Sequence, residues 1–161
     1  MEKITSLAQK LRNSASGIPH LANFTLQRGE VFGWNHSACA ITYKPDDPSA
    51  SAFLLHEFGH AVLNHAAYRN DTDLLRMERA AWDQALSLSE SYAITISDEL
   101  VEDALDTYRD WLHDRSLCPT CSATGLQTGP LSYRCLACET TWRVNEARSC
   151  ALRRYTTKKR L

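Results

Sequence analysis

One stretch constrains this chain more than any other: residues 50–66 (ASAFLLHEFGHAVLNHA) are apolar on nearly every side, yet they carry three histidines and a glutamate. A helix that is apolar all round is tolerated only where the rest of the domain surrounds it, so the segment predicts a central buried helix. Burying imidazoles and a carboxylate there without partners would cost about 1–3 kcal/mol for each group. The spacing offers a partner. His56-Glu57-Phe58-Gly59-His60 is an HExxH pattern, with histidines at i and i+4 on one helix face, where both rings can converge on one metal ion. Glu57 then serves as general base and not as a ligand: a bound zinc lowers the pKa of a water and polarises a carbonyl, while Glu57 takes the proton and later passes it to a leaving amine. Gly59 costs a helix roughly 1 kcal/mol relative to alanine, which implies close approach there, and the expected reason is removal of bulk beside the metal.

Catalytic zinc generally takes three protein ligands, so a third is required. Glu78 is the best placed, 18 positions after His60 on a segment with helical periodicity that can fold back beside the first helix. Glu78-Arg79-Ala80-Ala81 places a small residue one turn further on, which lets two helices approach closely enough for a short carboxylate to reach. Asp71, Asp73, Asp83 and His65 remain as alternatives. His65 lies five residues past His60, off the metal face and suited to a helix end, whereas Asp83 either orients a ligand imidazole or faces solvent.

The cysteines define a second constellation. Cys118-Pro119-Thr120-Cys121 and Cys135-Leu136-Ala137-Cys138 are two Cys-x2-Cys units separated by 13 residues that contain Gly125, Gly129 and Pro130. Four thiolates from two tight turns with a hairpin between them compose a closed tetrahedral zinc site, whose role is structural because no position is left open. Tyr133, Trp142 and Val144 supply strand and core residues for so small a module, which resembles a zinc ribbon. Cys39 and Cys150 have no paired neighbour and read as a small buried residue and a tail thiol.

Charge divides the chain in the same way. The formal net charge is -1, but residues 1–112 hold 9 Lys/Arg against 16 Asp/Glu and residues 113–161 hold 9 against 3. The basic end allows contact with nucleic acid, through Arg153, Arg154, Lys158, Lys159 and Arg160 on phosphates and through Tyr133, Trp142 or Tyr155 on bases. A solubilising tail, or one that docks on the acidic first part of the chain, is the alternative. No apolar run approaches the roughly 20 residues that span a bilayer, and the first residues lack the apolar stretch of a signal peptide, so a cytoplasmic protein without membrane contact is expected.

Periodicity supplies the remaining elements. Ile4, Leu7 and Leu11 mark an opening helix over residues 3–13; FTLQ, VFGW and CAITY read as two or three antiparallel strands; Ser49 or Ser51 caps the apolar helix. Further helices are expected from Leu74 to about Leu88 and, capped by Ser97, from Asp98 to about His113.

HEFGHAVLNH followed by ERAAWDQAL, with a hairpin before them, resembles the compact gluzincin-type metallopeptidases and among them the ImmA/IrrE family, over roughly residues 22–112. Trp82 departs from that pattern, standing where a smaller or acidic residue is common. The resemblance implies that His56, His60 and Glu78 hold a catalytic zinc and that Glu57 is catalytic. It also implies that one of the three strands pairs with an extended protein substrate, with Tyr43, His36 or His20 as candidate oxyanion donors. A weaker resemblance is to the SprT-like group, which couples HExxH to a zinc ribbon and acts on proteins attached to DNA but takes a third histidine. The expected architecture is α+β: a zincin-like domain over residues 1–113 with a small antiparallel sheet, a four-cysteine zinc ribbon over 114–147 and a basic tail over 148–161. Two Zn²⁺ ions per chain and an intracellular peptidase activity follow. The rival reading is a non-enzymatic binding module in which the HExxH site is structural.

Overall fold

A computed structural model of the chain describes residues 2–146 and 151–157. It is an α+β protein that divides into two compact units, residues 1–67 with 76–101 and residues 68–75 with 102–161. The division follows packing and not a single cut, because two helices, α3 (Asp71–Ser89) and α4 (Asp98–Ser116), each contribute to both units.

In the first unit, α1 (Glu2–Ala15) buries Ile4, Leu7 and Leu11, the stripe its periodicity marks. Three strands follow: β1 (Thr25–Arg28), β2 (Gly33–Asn35) and β3 (Ala40–Tyr43). They are not an antiparallel set. The order is β1-β3-β2, with β2 antiparallel to β3 but β1 parallel to it. Burial explains the arrangement. β3 buries Ala40, Ile41 and Tyr43, whereas β1 buries only Leu26 and β2 nothing, so β3 takes the middle, where both of its edges are hydrogen-bonded. β2 folds back onto β3 through a turn ending at Cys39, which is half-buried with φ of 48°. β1 is left with the other edge of β3, reached by a crossover over residues 29–39 that itself contains β2.

The apolar segment forms α2 (Ala50–Val62), with Leu54, Leu55, Phe58 and Ala61 almost wholly buried. It packs against α1 and against β2 and β3, so it is surrounded as its composition requires. Ser49 holds the N-cap position without a capping side-chain bond; Asp47 instead accepts from the Ser49 amide at 2.8 Å. Gly59 is where α3 comes closest. A Cβ there would collide with the backbone carbonyl of Ala81, so the missing side chain makes room for a helix and not for a metal. The α4 cap is as expected, with the Leu100 amide donating to Ser97 Oγ at 3.2 Å.

The second unit is built on an antiparallel sheet of β4 (Leu126–Gly129), β5 (Ser132–Arg134), β6 (Thr141–Val144) and β7 (Arg154–Thr156), in that order. The segment expected to be a tail thus supplies an edge strand: Trp142, Arg143 and Val144 leave hydrogen-bonding groups on their outer side that Thr156, Tyr155 and Arg154 pair with. Cys118, Tyr133, Cys135, Trp142 and Val144 form the core. Trp142 lies over Gly125, where a Cβ would strike the indole, and donates its N–H to the Arg115 carbonyl at 3.1 Å. Tyr133 stacks on it with centroids 5.6 Å apart. Both rings are about 1% exposed and are core residues, which excludes the stacking on bases considered for them.

Arg115, fully buried, donates to Tyr133 Oη at 2.6 Å and to the Pro130 carbonyl at 3.0 Å, and pairs with Asp71 at 3.1 Å. Asp71 also accepts from Tyr133 O–H and from Gln127 Nε2, so a buried cation is met by a carboxylate that is itself hydrogen-bonded. Among the described residues, no helix is long and apolar enough to cross a membrane.

Candidate metal centres

α2 and α3 bring the first group together. His56 and His60 sit one turn apart on α2, and Glu78 reaches them from α3 because Gly59 lets the Ala81 backbone of that helix approach. All three are buried. His56 Nε2 is 3.2 Å from Glu78 Oε2 and 3.2 Å from His60 Nε2, and His60 Nε2 is 3.5 Å from Glu78 Oε2. Nitrogen and oxygen donors at 2.0–2.1 Å from a tetrahedral metal lie about 3.3–3.4 Å apart, so this triangle matches three corners of such a site. The donor set fits a metal ion.

The electrostatics point the same way. Burial pushes the Glu78 carboxyl up, but hydrogen bonds with His56 and His60 outweigh it and hold the group at about 2, so the carboxylate is charged and available. Burial lowers His56 and His65 from the usual imidazole range, keeping lone pairs free. Glu57 is half-buried beside the triangle; desolvation pushes its carboxyl up to about 7, with His60 and a hydrogen bond from the Trp34 backbone amide opposing the rise. Trp34 belongs to β2, an edge strand. Of the three segments expected to offer an edge beside the site, CAITY is therefore the central strand and VFGW is the one that touches Glu57.

His65 has a role its spacing concealed. Its backbone amide bonds to the His60 carbonyl at 3.0 Å, wrapping the chain at the end of α2, and its Nδ1 then lies 2.8 Å from His60 Nδ1. If His60 Nε2 offers its lone pair to a metal, Nδ1 carries the ring proton and donates it to His65, which orients the ligand ring. The only sequence signal was the i+5 position, which a straight helix would have placed off the face. Trp34 Nε1 donates to the His65 carbonyl at 2.8 Å and secures that turn.

The other candidates for third ligand are occupied elsewhere: Asp71 with Arg115, Tyr133 and Gln127; Asp73 with Arg69 at 2.6 Å; Asp83 with Arg79 at 3.0 Å. The candidate oxyanion donors are tied up too. His20 bonds to the Ala61 carbonyl at 2.9 Å, His36 to Asn64 Oδ1 at 3.1 Å, and Tyr43 is buried in the core.

The second group lies wholly in the other unit. Cys118 Sγ is 3.6 Å from Cys138 Sγ, and Cys121 Sγ is 3.5 Å from both Cys135 and Cys138. A disulfide requires about 2.05 Å, whereas thiolates 2.3 Å from a tetrahedral centre lie about 3.8 Å apart, so the spacing fits a shared ion. The Thr120 amide donates to Cys118 Sγ at 3.4 Å, and Thr140 Oγ1, 3.2 Å from Cys138 Sγ, helps draw that thiol down to about 6. Cys118 and Cys135 are buried, Cys121 and Cys138 exposed. Of the basic residues, Arg153 is exposed and Arg154 bonds to the Asp114 carbonyl, while Tyr155 is 54% exposed. Lys158, Lys159, Arg160 and Cys150 lie outside the described residues.

Among the described residues these are the two groups of three or more His, Cys, Asp or Glu side chains placed to hold a metal ion. Comparison of the chain with models of known families, with curated proteins and with solved structures gave no match in any of the three.

Proposed function

We propose that the protein is a zinc-dependent peptidase acting on a protein substrate, with a zincin-like catalytic unit and a zinc ribbon. The observation that supports this most is Glu57, a half-buried carboxyl raised to about 7 that follows His56 on α2 and interacts electrostatically with His60 and Glu78 of the buried triangle. A purely structural site has no use for such a group, whereas a carboxyl next to a metal-bound water is suited to taking a proton and giving it back. Two nitrogens and one carboxylate oxygen are the donor set of a catalytic zinc, which when bound supplies Lewis acidity toward a carbonyl and toward water.

This chain's own residues do the rest. Glu57 accepts the proton of the attacking water and delivers it to the leaving amine. His65 holds the ring of His60. β2, whose Trp34 amide meets Glu57, is the edge strand along which an extended peptide would add as a further strand. The four cysteines, with no open position, hold a second zinc that maintains the ribbon. Exposed Arg153 and Tyr155 favour a nucleic-acid or protein partner for that unit, and a cytoplasmic setting keeps its thiols reduced.

Metal analysis together with hydrolysis of a mixed-sequence peptide library tests the reading. Two zinc ions per chain are expected, with cleavage lowered by about 10²–10⁴-fold in Glu57→Gln and both metals retained. A Glu57→Gln protein that cleaves as fast as wild type, or that loses the metal at His56 and His60, would overturn the assignment.

A further inference from the structure

The two histidines of the first group are held by different means. A ligand imidazole on a helix keeps one free rotation, about its Cβ–Cγ bond, and a hydrogen bond on the distal ring nitrogen is the usual way to stop it. His60 has that bond, to His65 at 2.8 Å. His56 lacks it: its Nδ1 is buried and has no hydrogen-bond partner among the described residues. What His56 has is Trp82. The two rings are stacked, with centroids 4.3 Å apart and planes 25° from parallel, so turning the imidazole would drive its edge into the indole.

Trp82 is itself fixed by packing. It is 1% exposed, and Phe53 meets it edge-on at 5.8 Å. Its own Nε1 is buried without a partner, so no hydrogen bond explains why so large a side chain lies there. It sits one turn after Glu78 on α3, which places a ligand and the ring that flanks the neighbouring ligand on one rigid element.

We propose that Trp82 is a positioning residue for His56, clamping the imidazole by ring stacking where a hydrogen-bond acceptor is lacking. The inference rests on the reading of His56, His60 and Glu78 as metal ligands and does not depend on hydrolysis. With Nε2 of both histidines turned to the metal, both Nδ1 atoms carry protons. The proton on His60 is shared with His65, and the proton on His56 is not shared. The two ligands are therefore unequal.

The full chain labelled with ¹⁵N-histidine and loaded with Zn²⁺ reads this inequality directly by NMR. The His60 Nδ1–H should resonate downfield, and the His56 Nδ1–H should lie well upfield of it, unbonded and shielded by the indole. Affinity for Co²⁺ at the nitrogen and oxygen site, measured by chelator competition, supplies the second arm, since thiolate absorption identifies the cysteine site separately. Trp82→Phe, which keeps a ring, should stay within about threefold of wild type, whereas Trp82→Leu should weaken binding about 10–100-fold. Thermal unfolding of the metal-free variants separates loss of clamping from loss of fold. Equal weakening in Trp82→Phe and Trp82→Leu, or a downfield, hydrogen-bonded His56 Nδ1–H, overturns the proposal. If Trp82→Leu does not fold, the wild-type spectrum still decides. Wild-type protein that binds no metal at His56 and His60 overturns the metal reading and the clamp together, a result distinct from either of the others.

Discussion

The His/Glu group and the four-cysteine group differ in how their ligands are brought together. The three contacts between cysteine sulfurs join residues 14 to 20 positions apart, across two tight turns and the short β4–β5 hairpin, and the donors are complete at four. The first group takes two ligands from one turn of α2 and the third from 22 positions away, on a helix whose approach depends on Gly59 meeting Ala81. One site is made by local chain geometry, the other by helix packing. A locally made group can be complete at four donors, whereas one made by packing can stop at three and leave a carboxyl such as Glu57 next to one of them in the chain.

The comparison predicts which site each change will break. The largest effect is expected in the cysteine unit, where Cys135→Ser removes a wholly buried ligand. Structural zinc contributes about 10–16 kcal/mol in small zinc-dependent folds, so the unit should lose its near-ultraviolet signal from Trp142 while metal analysis still finds the ion at His56 and His60. Loss of both metals would show that the two sites are not independent. Next, Glu57→Gln should lower peptide hydrolysis by about 10²–10⁴-fold without altering metal content, the usual range for a general base.

Acid should act on the metal-free first unit through Glu78. A carboxyl held at about 2 when folded and near its ordinary value when unfolded stabilises the fold above pH 4.5, and that contribution, at most about 3 kcal/mol, is lost as the pH falls from 4.5 through 2. His56 and His65, lowered by burial, add acid sensitivity as the pH drops below their ordinary value of 6.5. Glu57 works oppositely: raised to about 7, it favours the fold while protonated and loses that contribution as the pH rises from 4.5 through 7. Urea unfolding of the metal-free chain against pH should therefore show a fall below pH 4.5 that Glu78→Gln largely abolishes. A steep fall persisting in that variant would place the acid sensitivity elsewhere.

The smallest expected effect is the most diagnostic of packing. Gly59→Ala forces a methyl against the Ala81 carbonyl and should cost about 1–3 kcal/mol of stability, the range for overpacking. Because it moves the helix bearing Glu78, it should also weaken metal at His56 and His60 and leave the cysteine site unchanged. A variant as tight for metal as wild type would show that the α2–α3 contact does not set the position of Glu78.

Sequence alone determined most of what depends on short-range geometry, the side-chain cap expected of Ser49 or Ser51 excepted. The i, i+4 histidines, the paired Cys-x2-Cys units, the burial of an all-apolar helix and the Ser97 cap follow from helical pitch, turn geometry and the cost of exposing apolar surface, which act within a few residues. Glu78 was legible because small residues around it announced close helix packing. Tertiary structure alone decided the rest. β1 became parallel to β3 because burial of Ile41 and Tyr43 outweighed the simpler hairpin order. Arg154–Thr156 became a strand because β6 had an edge to fill. Tyr133 and Trp142 were committed to a core, Gly59 was reserved for a neighbouring backbone, and His65 and Trp82 came to flank the buried His60 and His56 in different ways. The reason is common to all of these: which groups meet across long chain separations depends on the joint packing of several elements, and no single segment encodes it.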